Sequence, residues 1–265
     1  MDIQVRTIGI VSDDETLAGT VLAPPREVPG ILFVHGWGGH QAHDLARARE
    51  AAGLGCVCLT FDLRGHQKSH VSPECVTRPQ NLEDIVAAYD WLVAQPSVDP
   101  GAIAVVGISY GGYLASILTS LRSVRWLALR SPAIYKDENW ELPKLALHTD
   151  PDLPRYRRRR IDFADNRALR ACAEFRGDVL IVAAEHDDIV PHQVTENYLG
   201  AFRSATSRTA RVIGGADHAF SAKSAQRDYS DVLLRWLTEM IVGARGSAAK
   251  EKVALHKIES GLANA

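Results

Sequence analysis

The sequence predicts an α/β fold in which helices cover both faces of a mostly parallel sheet. From Ile31 onward, short unbroken apolar segments of strand length alternate with stretches whose apolar residues recur at helical spacing. The chain has 265 residues, 46% of them hydrophobic and 23% charged. This length and composition are ordinary for one large globular domain.

The expected elements follow in order along the chain. Two β-rich runs, residues 3–10 and 16–22, flank a polar turn and predict an N-terminal antiparallel hairpin. Asn81, placed before two acidic residues, is expected to cap one of the helices. The strands of the parallel sheet are expected at residues 31–34, 56–61, 103–106, 126–129, 179–183 and 208–213. Helices are expected at residues 42–52, 82–94, 110–121, 193–204 and 222–241.

Residues 1–243 are expected to form one domain with an insertion. The stretch from about 132 to 160 is rich in Pro and Arg and interrupts the alternation, so we interpret it as a small lid. Residues 244–265 form a C-terminal tail rich in Ala, Lys and Glu, with an apolar stripe at Leu255, Ile258 and Leu262. Two interpretations of the tail stay open: a solvated segment, or a contact with a second subunit in a homodimer.

The bulk properties argue against several classes of protein. A net charge of -2 gives no general attraction to nucleic acid or to anionic membranes, and no apolar run is long enough to span a bilayer. The first residues lack the basic and apolar blocks of a secretory signal, so a cytoplasmic location is expected. The four cysteines lack the spacing of a disulfide framework and are expected to be free thiols.

Ser109 is the candidate nucleophile, because Gly107-Ile108-Ser109-Tyr110-Gly111 joins a predicted strand directly to a predicted helix. Small residues around a serine allow a tight strand-to-helix turn that holds the hydroxyl above the sheet. A structural role as a helix cap is the alternative for a lone serine here. The pattern alone occurs by chance in on the order of one chain in ten of this length, so the flanking motifs decide.

A serine nucleophile needs a general base and a carboxylate that orients it. Glu185-His186-Asp187-Asp188 follows the strand at 179–183, and Gly214-Gly215-Ala216-Asp217-His218 follows the next strand. The carboxyl ends of parallel strands meet at one edge of the sheet, where open α/β sheets bind their ligands. We therefore predict His218 as the base, with Asp187 or Asp188 as the carboxylate.

A fourth motif, Phe33-Val34-His35-Gly36-Trp37-Gly38-Gly39, follows the strand at 31–34. Its glycines let the backbone turn sharply and present an N–H group to a developing oxyanion. The expected oxyanion donors are the backbone N–H groups of Trp37 and of Tyr110, the residue after the nucleophile.

With these motifs the chain resembles the α/β-hydrolase superfamily over residues 3–242. Within it, the chain is similar to the small-lid esterases, thioesterases and dienelactone hydrolases that border the prolyl oligopeptidase-type peptidases. Asp62-Leu63-Arg64-Gly65-His66-Gln67-Lys68-Ser69 resembles the D-x-R-G-x-G-x-S turn of that superfamily, except that Gln67 replaces the second glycine. The resemblance implies the α/β-hydrolase fold, Asp187 as the triad acid with Asp188 as the alternative, and cleavage of a carboxylic ester or thioester through an acyl-enzyme without a cofactor.

The substrate is expected to be a small-molecule ester contacted by Trp37 and by two lid aromatic residues, Tyr135 and Trp140. The arginines at positions 155 and 157–160 are interpreted either as a solvated lid edge or as a site for an anionic substrate group. No metal is expected, since His35, His40 and His43 lack cysteine or acidic partners at ligand spacing. Two other functions stay open: an aminopeptidase or oligopeptidase, and a ligand-binding protein without turnover.

Overall fold

One mixed sheet organises the molecule. The structure, a computed structural model, describes residues 4–13, 15–23, 28–67 and 69–262. The strands are β1 Gln4–Ser12, β2 Glu15–Ala23, β3 Val28–Val34, β4 Val57–Phe61, β5 Val98–Ile108, β6 Trp126–Arg130, β7 Asp178–His186 and β8 Ser207–Asp217. Their order in the sheet is β1-β2-β4-β3-β5-β6-β7-β8. The pairs from β4 to β8 are parallel, whereas β2 pairs antiparallel with β1 and with β4, which confirms the predicted sheet and hairpin.

Helices cover both faces of the sheet, as the apolar segments predicted. The α-helices are α1 Leu45–Gly53, α2 Arg78–Val93, α3 Tyr110–Leu118, α4 Leu153–Arg157, α5 Arg167–Glu174, α6 His192–Ala201 and α7 Lys223–Leu262. Successive residues of a strand point to opposite faces. In β3, Leu32 packs in the layer formed with α2, α3, α5 and α6, whereas Phe33 packs in the layer formed with α1 and α7.

The order in which successive strands join the sheet reverses at β3. From β3 the chain crosses to β4 on one side, and it then returns to β5 on the other side of β3. The carboxyl ends of β3 and β5 therefore border the crevice that forms where the strand order reverses. The candidate nucleophile follows β5 and the glycine motif follows β3, so the topology brings both to this crevice.

The prediction that Asn81 caps the helix at 82–94 was wrong, because α2 begins four residues earlier. Thr77 caps it: the Gln80 amide donates to the Thr77 hydroxyl, and the Thr77 amide donates to the Gln80 side chain. Pro79 stands in the first turn, where a missing N–H costs nothing. Asn81 is instead a buried residue inside the helix.

The helix expected to end at Ile241 continues through Gly243 to Leu262. The Ala, Lys and Glu residues that follow favour helix strongly enough to continue it across Gly243 and Gly246, which cost about 1 kcal/mol each. Because the side chains of residues 245–262 lie outside the described part of the chain, the predicted stripe at Leu255, Ile258 and Leu262 stays a prediction.

The segment predicted as a lid is largely irregular, with a 3-10 helix at Lys144–Thr149 followed by α4. Tyr135, Leu147 and Tyr156 are buried in the same core layer as α2 and α3. The apolar side of this segment therefore packs onto the main domain rather than forming a separate core.

Candidate active site

Ser109 occupies a tight turn between β5 and α3. Its backbone has φ 50° and ψ -112°, a conformation that L-residues avoid and that costs on the order of 1–3 kcal/mol. Hydrogen bonds hold the turn: the Ser109 amide donates to the Arg130 carbonyl at 2.9 Å, and the Ser109 carbonyl accepts from the Ala133 amide at 2.9 Å. The neighbouring elements thus keep the serine side chain raised above the sheet edge.

The glycines on either side of Ser109 are required by close approach of the backbone. A Cβ atom on Gly111 would lie 2.4 Å from the carbonyl oxygens of Val34 and His35. A Cβ atom on Gly107 would lie 2.7 Å from the Cα atom of Gly112. Both distances are far below van der Waals contact, so the G-x-S-x-G spacing follows from packing α3 against β3 and β5.

Ser109, His218 and Asp187 form one hydrogen-bonded chain. The distance from His218 Nε2 to Ser109 Oγ is 2.9 Å, and that from His218 Nδ1 to Asp187 Oδ2 is 2.8 Å. A carboxylate only accepts hydrogen bonds, so Nδ1 carries the proton and Nε2 is free to accept from the serine hydroxyl. The three residues come from the ends of β5, β7 and β8, as the sheet topology requires.

Asp187 is held as a carboxylate. Its Oδ1 accepts hydrogen bonds from the amides of Ile189 at 3.0 Å and Val190 at 2.7 Å, and Oδ2 accepts from His218. Burial raises the pKa of Asp187, but the hydrogen bonds from His218 and Val190 outweigh it, and the net pKa lies below its ordinary value. Asp188, the sequence alternative, is exposed.

Two histidines, His35 and His66, fix the conformation of the loop after β3 through hydrogen bonds. His35 accepts a hydrogen bond from the Leu63 amide at Nε2, and its Nδ1 lies 2.8 Å from the Gly36 carbonyl oxygen. Burial lowers the pKa of His35 to about 4, so it is neutral at pH 7. His66 accepts a hydrogen bond from the Gly38 amide at 3.1 Å, and its ring lies edge to face with Trp37.

The turn after β4 supports Tyr110 from below. Gln67, which replaces the expected glycine, has φ 42° and so keeps the left-handed conformation that a glycine would favour. Arg64 forms a buried ion pair with Asp84 at 2.7 Å. Asn81 bonds both members of this network and accepts a hydrogen bond from the Tyr110 hydroxyl at 3.1 Å.

A cavity of about 370 Å³ opens beside Ser109 and His218. Trp37, one of the predicted substrate contacts, lies in its wall. Arg47 and Arg130 also line it, together with Asp44, which forms an ion pair with Arg47. The cavity is therefore compact, and its charged lining is mainly cationic.

Lys144, from the lid segment, is completely buried against Trp37 and Tyr110, the residues predicted to supply the oxyanion donors. Its Nζ lies 4.6 Å from the ring centroid of Trp37 and 5.0 Å from the ring centroids of Tyr110 and Tyr135. Burial, aided by the charge of nearby arginines, lowers the pKa of Lys144 to about 7. The predicted contact residue Tyr135 thus packs in a buried aromatic and cationic cluster with Lys144, rather than in the wall of the Ser109 cavity.

The structure does not bring Trp140 to the cavity beside Ser109. Its ring stacks against the guanidinium groups of Arg78, at 4.9 Å, and Arg167, at 3.9 Å, and it lines a separate depression next to β1 and α2. Two arginines from distant parts of the chain hold it there, and neither contact has a signature in the local sequence.

Sequence reasoning missed Arg130 and Lys144. Arg130 directly follows the strand predicted at 126–129, so the rule that found the other site residues at strand ends could have identified it as well. No local pattern marks Lys144. Within the described residues, no group of three or more His, Cys, Asp and Glu side chains is arranged to hold a metal ion.

The sheet order, the tight turn at Ser109 and the three strand-end residues define a protein of the α/β-hydrolase superfamily. The model of the prolyl oligopeptidase family (peptidase family S9) matches residues 46–243, and the chain belongs to this family. An uncharacterized protein of Mycobacterium tuberculosis is 31% identical over 215 residues, which cover 81% of this chain and 71% of that protein.

Solved structures share the fold at low sequence identity. A dienelactone hydrolase from Anabaena variabilis covers 90% of this chain and 99% of its own, with a TM-score of 0.66 and 19% identity. Est1E from Butyrivibrio proteoclasticus, solved with ferulic acid, covers 89% and 98%, with a TM-score of 0.67 and 19% identity. An acylaminoacyl peptidase from Pyrococcus horikoshii covers 91% of this chain but 42% of its own, with a TM-score of 0.67 and 14% identity.

Among the described helices, none combines the length and apolar character needed to cross a bilayer.

Proposed function

We propose that the protein hydrolyses carboxylic esters or thioesters through an acyl-enzyme formed on Ser109. The observation that carries the proposal is the hydrogen-bonded chain from Ser109 through His218 to Asp187, at 2.9 and 2.8 Å. A serine hydroxyl is a poor nucleophile by itself, and an adjacent oriented imidazole is the group that activates it.

In the proposed reaction, Ser109 Oγ attacks the ester carbonyl while His218 Nε2 takes the hydroxyl proton. The negative charge that develops on the carbonyl oxygen is received by the backbone N–H groups of Trp37 and Tyr110. The protonated His218 then gives its proton to the leaving alcohol or thiol, which departs and leaves the acyl group on Ser109. Asp187 stays ionised and stabilises the imidazolium.

Water completes the cycle. His218 takes a proton from a water molecule that attacks the acyl-serine, and returns it to Ser109 Oγ as the acid product leaves. The rigid Ser109 turn favours this scheme, since the hydroxyl needs little reorganisation to reach the reacting carbonyl.

The test is labelling by a fluorophosphonate probe together with turnover of 4-nitrophenyl acetate and butyrate. Ser109→Ala is expected to abolish labelling and to lower turnover to about the level of the oxyanion donors alone, a loss of on the order of 10⁴-fold or more. Ser120→Ala, which removes an exposed hydroxyl beyond the other end of α3, is the matched control. Equal turnover by Ser109→Ala and the parent protein would refute the proposal.

Peptide cleavage is the second candidate, because the family match favours it. An aminopeptidase that acts on a free, protonated amino terminus needs acidic groups to hold it. Asp44 is the acidic residue in the described wall of the Ser109 cavity, and Arg47 already neutralises it. Aminoacyl and acylaminoacyl 4-nitroanilides, run beside the esters, would separate the two activities.

Thermal stabilisation by ester ligands without any turnover would instead favour a binding protein.

A further inference from the structure

Arg130 is a desolvated cation in the wall of the Ser109 cavity, at the carboxyl end of β6. Its guanidinium lies 4.6 Å from the ring centroid of Phe220 and 5.3 Å from that of Tyr229. Its Nε is buried and has no hydrogen-bond acceptor within the described residues. An aromatic face attracts a cation but provides no oxygen acceptor for the guanidinium N–H groups.

The two carboxylates whose charges act on Arg130, those of Asp44 and Asp187, already accept hydrogen bonds from other residues. Asp44 accepts two hydrogen bonds from Arg47, at 2.7 and 3.1 Å, and Asp187 accepts one from His218. Burial lowers the pKa of Arg130, and both aspartates act on it only through space. Apart from its histidines, the described lining of the cavity has two arginines and one aspartate, and the aspartate pairs with Arg47 rather than with Arg130.

We propose that Arg130 binds an anionic group, a carboxylate or a phosphate, on the ester that Ser109 cleaves. This inference rests on the proposed function and names its substrate class. A carboxylate or phosphate matches the planar fork of a guanidinium with two parallel hydrogen bonds, which would satisfy the buried donor. The cavity of about 370 Å³ suits a short acidic ester better than a long acyl chain.

The exposed arginines of the lid are less suited to this role. Arg155, Arg158 and Arg159 are solvent-exposed and lie outside the lining of the Ser109 cavity, whereas Arg157 donates to the carbonyls of Ile134 and Ile189. A solvated arginine gains little from an anion, because water already stabilises both charges. A desolvated arginine beside Ser109 gains more free energy from binding an anion, because little water stabilises its charge beforehand.

Two pairs of esters test the inference, each matched in size and differing in charge. Mono(4-nitrophenyl) adipate and its methyl ester place the anion or its neutral match on the acyl side. 4-Acetoxybenzoate and its methyl ester place it on the alcohol side. In at least one pair, kcat/KM for the parent protein is expected to favour the anionic ester, after subtraction of the uncatalysed rate. A parent protein that favours the anion in neither pair would overturn the inference.

The variant Arg130→Met is expected to lower the ratio of anionic to neutral kcat/KM by about tenfold to 100-fold, the range for a hydrogen bond to a charged group. Arg130→Lys keeps the charge but not the fork, so it should retain part of the ratio. It also serves if the methionine variant does not fold. Arg155→Gln, which changes one of the exposed arginines of the lid, is the control and should leave the ratio of anionic to neutral kcat/KM unchanged. A fall in the Arg155→Gln ratio as large as that in Arg130→Met would assign the anion to the lid instead.

Binding separates this inference from the proposed function. Monomethyl adipate and dimethyl adipate are titrated calorimetrically into Ser109→Ala and into the double variant Ser109→Ala, Arg130→Met. Preference for the monoanion in the first protein and its loss in the second supports an Arg130 anion site even if no ester is hydrolysed. Fluorophosphonate labelling and turnover of neutral esters without anion preference would instead leave the proposed function standing and overturn this inference.

Discussion

Replacement of Lys144 by methionine should change how the stability of the protein depends on pH. The Lys144 side chain is fully buried among the rings of Trp37, Tyr110 and Tyr135, so its ammonium group has lost most of its hydration. Methionine has a similar length and fills the same apolar space without the charge. The substitution therefore removes one titrating group and leaves the packing nearly unchanged.

The magnitude follows from the two pKa values. Burial lowers the pKa of Lys144 from its ordinary value of 10.5 to about 7, so between these values the unfolded chain binds a proton that the folded chain does not. Stability then rises with pH across this window, whereas below pH 7 both states are protonated and the slope vanishes. Integrated from pH 7 to pH 9, the contribution of Lys144 is about 2 kcal/mol.

Urea unfolding at pH 7 and pH 9 measures this contribution. The change in the free energy of unfolding between the two pH values is determined for the parent protein and for Lys144→Met, and the two changes are compared. The free energy of unfolding of the parent should gain about 2 kcal/mol more than that of the variant over this range. Lys223→Met, at an exposed position of α7, is the control and should change the pH dependence very little. The same pH dependence in the parent and Lys144→Met would show that the ammonium group is not desolvated.

Two further substitutions probe the site. Asp187→Asn should lower kcat for 4-nitrophenyl esters by about 10⁴-fold because it leaves the imidazole in the wrong tautomer, whereas Asp188→Asn, at an exposed position, should have little effect. Comparable losses in both would contradict the assignment of the acid. Gly111→Ala should destabilise the protein by about 2 kcal/mol or more through its clash with two carbonyl oxygens, and should also reduce fluorophosphonate labelling. Gly200→Ala, in open space within α6, should instead stabilise by about 0.5–1 kcal/mol, as urea unfolding would show.

The residues that directly follow apolar strands could be predicted from sequence. Ser109, Asp187 and His218 are far apart in the chain, but a parallel sheet brings its carboxyl ends to one edge, so identifying the strands was enough to place them together. The same rule was not applied to Arg130, because its strand is followed by no glycine or acidic motif. Its environment depends on Tyr229, which lies about a hundred positions later.

The features of the site that could not be predicted from sequence depend on contacts between distant segments of the chain. Trp140 is held by two arginines outside the lid, and Lys144 is surrounded by rings from three separate stretches of chain. The start of α2 could have been predicted, because Thr77 and Gln80 have the spacing of a capping box. Asn81 has the residue type of a cap, but its side chain is used in the buried network under Tyr110.

The two desolvated cations of the site are expected to act at different pH. Lys144 loses its proton near neutral pH, whereas an arginine keeps its charge across this range even when burial lowers its pKa. If Arg130 supplies the charge that selects an anionic substrate, the ratio of anionic to neutral kcat/KM should stay within about twofold between pH 7 and pH 9. A ratio that falls with the titration of Lys144, and becomes independent of pH in Lys144→Met, would show that the lid lysine supplies the field instead.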